Sequence, residues 1–147
     1  MERIVGIDFG RKRTGIAVSD PLGIFASALD TVSSGDVLTF LKNYTLKEKV
    51  VRIVVGYPVN LNNTPSEAAG DLEPFLNLLR KQFPDIPVTL QDERFTSKMA
   101  MRALIDGGMK KSDRRIKGNI DKVSAAIILQ SYLDSRERSE DDKREAL

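Results

Sequence analysis

Ile4-Val5-Gly6-Ile7-Asp8-Phe9-Gly10-Arg11-Lys12-Arg13-Thr14-Gly15-Ile16-Ala17-Val18-Ser19 reads as two strands with a tight turn between them. Residues 3–9 and 13–19 are rich in β-branched and small apolar side chains, and Arg11-Lys12 supplies the polar break. So short a connection allows only antiparallel neighbours. Asp20-Pro21-Leu22-Gly23 places Pro and Gly where a turn wants them, and 24–32 reads as a third strand, completing a meander.

Downstream the pattern changes. After Ser34-Gly35-Asp36, the apolar residues Val37, Leu38, Phe40, Leu41 and Tyr44 recur at helical spacing. Val50-Val51-Arg52-Ile53-Val54-Val55-Gly56 is nearly all β-branched, as in a strand covered on both faces and therefore parallel to its neighbour. Thr64-Pro65-Ser66-Glu67 is a capping box for a helix with apolar face Ala68, Ala69, Leu72, Phe75, Leu76, Leu79 and Phe83. Pro74 lies inside that helix and is expected to bend it near Gly70. Val88-Thr89-Leu90-Gln91 is a short fifth strand; Thr96 or Ser97 caps a further helix ending at Gly107-Gly108. Residues 109–118 lack periodicity and read as a mobile loop. Asn119 then caps a last helix, 120–133, whose stretch Val123 to Leu129 is apolar on nearly every side.

The order βββαβαβ followed by two helices predicts an α/β fold, a mixed five-stranded sheet with helices packed on it. It is the element order of the RNase H-like fold, with strand order 3-2-1-4-5. One domain is expected over 1–136, with a charged, flexible tail at 137–147.

Composition narrows the chemistry. The 147 residues hold no Cys and no His. Thiol nucleophiles, disulfides, zinc–thiolate sites, Ser–His–Asp triads and imidazole acid–base catalysis are therefore excluded. What remains is carboxylates, amines, guanidinium groups, hydroxyls and a bound ion. Oxygen donors favour Mg²⁺ or Mn²⁺. No apolar run is long enough to span a bilayer and no leader-like start is evident, so a cytoplasmic location and no membrane partner are expected. Net charge is +2, but Asp134–Leu147 carries six acids against four bases, which leaves +4 on residues 1–133. A basic body suits a polyanion.

Three acids stand out. Asp8 is embedded in the apolar first strand, where an ionised carboxylate is costly unless a cation or several donors compensate it. Gly10 leaves space beside it, and Arg11, Lys12 and Arg13 follow. Glu93 comes directly after the fifth strand, at the carboxyl end where open α/β sheets present functional groups. Asp121 lies in the first turn of the apolar last helix. Each has a plainer reading: a turn acceptor for Asp8, and a favourable helix-dipole position for Glu93 and Asp121. Lys110, Lys111, Arg114, Arg115 and Lys117 form a basic stretch beside that helix, either a solvated charge run or an arm for nucleic acid. Asn60, Asn62 and Asn63 follow Gly56-Tyr57-Pro58 on the same expected rim.

Four short motifs occur in order: Gly6-Ile7-Asp8-Phe9-Gly10 with Arg13–Asp20; Ile53–Pro58; Asp92-Glu93-Arg94-Phe95-Thr96-Ser97; and Lys122–Leu129 after Asp121. On these the sequence resembles the YqgF/RuvX family, relatives of RuvC-type Holliday junction resolvases in the RNase H-like superfamily, to about Tyr132. Tyr57 departs from the family's usual Leu. The resemblance implies an acidic triad at Asp8, Glu93 and Asp121, and phosphate contacts from Lys12, Arg13 and Arg94. It also implies nuclease action on the 5′ end of pre-16S ribosomal RNA or, alternatively, on four-way DNA junctions.

The expected activity is thus phosphodiester hydrolysis with one or two Mg²⁺ or Mn²⁺ ions held by the three carboxylates. The expected partners are nucleic acid, RNA favoured over a DNA junction, and ribosome-assembly intermediates; the expected state is a monomer or weak homodimer. Two rivals differ in kind. A nucleotide-binding module of the actin or sugar-kinase sort also opens on an Asp-x-Gly strand but needs two lobes. A non-catalytic RNA-binding assembly factor would need the basic stretch without the acids.

Overall fold

The computed structural model describes residues 1–57, 67–92 and 116–145, with side chains described over 1–57, 70–92 and 121–136. The strands are β1 (Glu2–Asp8), β2 (Arg13–Ser19), β3 (Ala26–Ser33), β4 (Lys49–Tyr57) and β5 (Val88–Asp92). The helices are α1 (Val37–Lys47, entered through a 3₁₀ turn at Ser34–Asp36), α2 (Glu67–Gln82) and α3 (Ile116–Glu145).

The sheet has five strands in the order β3-β2-β1-β4-β5. β1–β2 and β2–β3 are antiparallel, and β1–β4 and β4–β5 are parallel, as the connection lengths require. The carboxyl ends of β1, β4 and β5 therefore share one rim with the start of β2.

Side-chain alternation divides the core. Val5, Ile7, Ile16, Ile53 and Val55 pack with Val37 and Leu41 of α1 and with Leu72, Phe75, Leu76 and Leu79 of α2. Ile4, Ala17 and Val54 face the other way and pack with Ala125, Ile128, Leu129 and Leu133 of α3. The sheet is thus sandwiched, with α1 and α2 on one face and α3 on the other. Small residues on the α3 side let that helix approach closely: a Cβ on Gly6 would meet Leu129 Cβ at 2.7 Å.

Several expectations need correction. The last helix is longer at both ends than 120–133. Lys117 of the basic stretch belongs to its first turn, and Asn119 lies inside the helix instead of capping it. The backbone beyond residue 136 is helical to Glu145. The reason is the same in each case: the packed segment supplies a stable helix, and Gly118 is too weak a breaker to stop propagation. After Gly118 the chain has no Gly or Pro, and its tail is dominated by Glu, Arg and Lys, all good helix formers. Nor is Val123–Leu129 buried all round; Ser124, Ala125, Ile128 and Leu129 are buried, while Val123, Ala126 and Ile127 are intermediate.

α2 runs through Pro74 without interruption. The capping residues Thr64, Pro65 and Ser66 and the helix expected after Thr96 or Ser97 lie outside the described residues. Among the described residues no helix is long and apolar enough to cross a membrane.

Candidate active site

Asp8 closes β1 on the carboxyl rim. Ile4 and Gly6, four and two residues before it, face α3, so alternation puts Asp8 on the α3 face as well. Its partner across the β1–β2 ladder is Gly15. A side chain on Gly15 would run into the backbone carbonyl of Asp121, so only glycine fits beneath the helix there.

Three contacts then fix the direction of α3. Gly6 lies under Ala125 and Leu129, and Gly15 lies under Asp121. Moving along β1 toward its carboxyl end is therefore moving along α3 toward its start. Asp8, two residues beyond Gly6, and Asp121, one helical turn before Ala125, arrive at the same place. Asp121 Oδ2 accepts a hydrogen bond from Arg13 Nε at 3.0 Å; the two side chains are 24% and 44% exposed, so the pair is open to water. Arg13 reaches it because alternation along β2 puts residue 13 on the same face as Gly15 and Ala17.

The segment joining β1 to β2 is anchored independently of α3. Phe9 stacks on Phe75 of α2, centroids 4.4 Å apart at 15°. Arg11 Nε donates to Asp71 Oδ2 of α2 at 2.6 Å. The Lys12 carbonyl accepts from the Ser34 amide at 3.0 Å, and Lys12 itself is exposed. Gly10 does not open space for a ligand, as its sequence suggested. A Cβ on it would lie 2.6 Å from the Arg13 carbonyl, so the turn itself requires the glycine.

Gly15 thus has Asp8 as its ladder partner and the Asp121 backbone above it, and Arg11, Lys12 and Arg13 lie on the same rim. Tyr57 and Asp92 end the neighbouring strands there, paired in register. Glu93, Arg94, Lys110, Lys111, Arg114, Arg115 and the asparagines Asn60, Asn62 and Asn63 lie outside the described residues. Among the described residues no three acidic side chains form a metal-sized cluster.

Two features were not read from the sequence. Gly15 falls within the expected strand 13–19, and a Gly opposite an Asp in a tight hairpin is the signal of its close contact. The contact of Arg13 with Asp121 spans 108 positions, and no local pattern encodes it.

The chain is similar to known proteins in sequence and in fold. Residues 2–135 match the model of a family described as RuvX, Holliday junction resolvase. A candidate pre-16S rRNA nuclease of Phocaeicola vulgatus is 53% identical over 136 residues, covering 92% of this chain and 98% of that one. One from Bacteroides thetaiotaomicron is 51% identical, covering 92% and 99%. Among solved structures, Thermus thermophilus RuvC in complex with a Holliday junction substrate superposes with a TM-score of 0.57 at 18% identity, covering 93% of this chain and 96% of that one. The fowlpox virus resolvase with its junction DNA gives 0.57 at 11%, covering 90% and 97%. At such identities the likeness establishes the fold, which is RNase H-like.

Proposed function

The chain belongs to the RuvX family, and from that premise we propose that it is a metal-dependent nuclease that trims the 5′ end of pre-16S ribosomal RNA. The reading rests on the register that pairs Asp8 with Gly15 and on the Asp121 backbone lying over that same glycine. Two carboxylates from distant chain segments repel each other unless something positive lies between them. RNA is favoured over a DNA junction because the relatives sharing half of this sequence are named for pre-16S rRNA. The junction complexes lie at 18% and 11% identity. We place its action in the cytoplasm, on ribosome-assembly intermediates.

The donor set fits a hard divalent ion such as Mg²⁺ or Mn²⁺, one or two in number: carboxylate oxygens without nitrogen or sulfur ligands. Asp8 and Asp121 would hold it, with Glu93 as the third carboxylate. When bound, the ion supplies an activated water and stabilises charge on the phosphate. The chain's own residues do the rest. Asp8 and Asp121 are set by the sheet and by the packed helix, so their oxygens are positioned before substrate arrives. Lys12 and Arg13, with Arg94, would contact phosphate oxygens and fix the strand's register. Lys110, Lys111, Arg114, Arg115 and Lys117 would extend that contact along the nucleic-acid backbone.

The test offers the purified chain with Mg²⁺ both a precursor 16S 5′ leader and a four-way DNA junction. Cleavage of the leader, lost in Asp8→Asn with an unchanged circular dichroism spectrum, is the expected result. Cutting of the junction alone would replace the RNA assignment. Full Mg²⁺-dependent activity in Asp8→Asn would overturn the site. Binding without cleavage that survives loss of all three acids would make the protein an assembly factor.

A further inference from the structure

We infer that Arg13 competes with the divalent cation for the carboxylate of Asp121 and so sets the cation concentration at which the site loads. The inference rests on the reading of Asp121 as a metal ligand. Its basis is the ion pair itself: Arg13 Nε lies 3.0 Å from Asp121 Oδ2. The backbone leaves neither partner much freedom. Arg13 is fixed in the β2–β3 ladder opposite Ser33, and the Asp121 backbone rests on Gly15 two residues along the same strand.

A guanidinium and a divalent ion at one carboxylate oxygen repel each other strongly, so loading requires Arg13 to withdraw. The pair permits that, because both side chains are part-exposed and ion pairs open to water are weak. The neighbouring base differs. Arg11 is held by Asp71 of α2, a residue outside the acidic set. Arg13 is paired with a proposed ligand. Arg13 is a positioning residue in this scheme: it holds Asp121 in place and yields its oxygen as the cation arrives. The guanidinium then faces the rim where a phosphate would lie.

The experiment titrates Mn²⁺ alone, without nucleic acid, into the full chain and into Arg13→Gln, Arg11→Gln and Asp121→Asn, following binding by electron paramagnetic resonance. Arg13→Gln should bind Mn²⁺ about fivefold more tightly than the parent, the scale of one weak ion pair removed. Arg11→Gln removes the same charge from the same turn and should stay within about twofold, since a long-range field is screened. Parent-like or weaker binding in Arg13→Gln overturns the competition, as does equal tightening in both arginine variants. Parent-like binding in Asp121→Asn instead removes Asp121 from the ligand set, a distinct failure. Should Arg13→Gln not fold, the parent alone decides. Saturating Mg²⁺ should shift the Arg13 Nε–Hε resonance as its bond to Asp121 breaks, and an unmoved resonance overturns the inference.

Discussion

Gly15 has no side chain, and the whole rim depends on that. It stands opposite Asp8 in the β1–β2 ladder and directly beneath the Asp121 carbonyl. Even the single methyl of Gly15→Ala must push α3 away from the sheet. Overpacking of this kind costs about 1–3 kcal/mol, and here the obstacle is backbone, which cannot rotate aside. A thermal melt of Gly15→Ala should show the loss, with Mn²⁺ affinity falling too, because Asp121 leaves with the helix. A parent-like melt and parent-like metal binding would mean the helix sits more loosely than the contact implies. Asp20, in the β2–β3 turn, has no part in the site, and its behaviour is electrostatic. Its Oδ1 accepts the Phe25 amide at 2.9 Å and the Ile24 amide at 2.7 Å. The Phe25 bond above all, with the Ile24 bond and more distantly Arg3, holds the carboxyl below its ordinary range. A depressed folded pKa means that this stabilisation is present above the unfolded value of ~3.9 and is lost as pH falls through the folded value. Melting temperatures of parent and Asp20→Ala should therefore differ by a constant amount above about pH 5 and converge below ~3.9. A gap that persists in acid would assign the effect to backbone geometry.

At the scale of elements, strands were easier to read than helix ends. β2 was expected at 13–19 and is Arg13–Ser19; β4 was expected at 50–56 and is Lys49–Tyr57. Their signals are local, since β-branched runs and Pro-Gly turns act within a few residues. The strand order β3-β2-β1-β4-β5 is the one expected from the RNase H-like element order, and the pair directions were legible because short connections force antiparallel pairs and crossovers allow parallel ones. The ends of α3 were not, because helix propagation depends on what the packed middle can sustain. For the site, Asp8 and Asp121 could be read one by one as costly or dipole-placed acids. Their convergence was an expectation from the fold and not from any local pattern, because it depends on a helix crossing a strand pair at a glycine. The extension of α3 makes a prediction of its own. All the α3 residues in its core cluster fall between Ala125 and Leu133. Deleting residues 137–147 should reduce the far-ultraviolet helical signal roughly in proportion to the turns removed. It should shift the melting temperature by no more than the ~0.5 kcal/mol of an ordinary surface change. A collapse in stability would show that the terminal turns pack against the body.

At the scale of the whole molecule, the sandwich assigns its two cores different duties. Among the described residues the core between the sheet and α1 and α2 is the larger and contains Leu76 and Leu79, while the core under α3 holds Ala125, Ile128, Leu129 and Leu133. Both stabilise the fold by the same apolar burial. The second also seats a candidate ligand, because α3 carries Asp121 and is held by the contacts of Leu129 and Ala125 with Gly6. A cavity in either core should cost comparable stability, about 2–5 kcal/mol for a fully buried Leu cut to Ala. The consequences for the site should diverge. Leu76→Ala leaves the sheet–α3 interface intact; below its melting transition, Mn²⁺ affinity and cleavage rate per folded molecule should match the parent. Leu129→Ala lets α3 settle toward Gly6 and rotate, which displaces Asp121 relative to Asp8. Misplacement of a reacting group by as little as 1 Å can cost about a hundredfold in rate. The comparison is made at one temperature well below both transitions, with the folded fraction fixed by circular dichroism. Equal loss of activity in both variants would mean that the rim responds to global stability alone. A selective loss in Leu129→Ala would mean that the packing of one helix sets the distance between two acids.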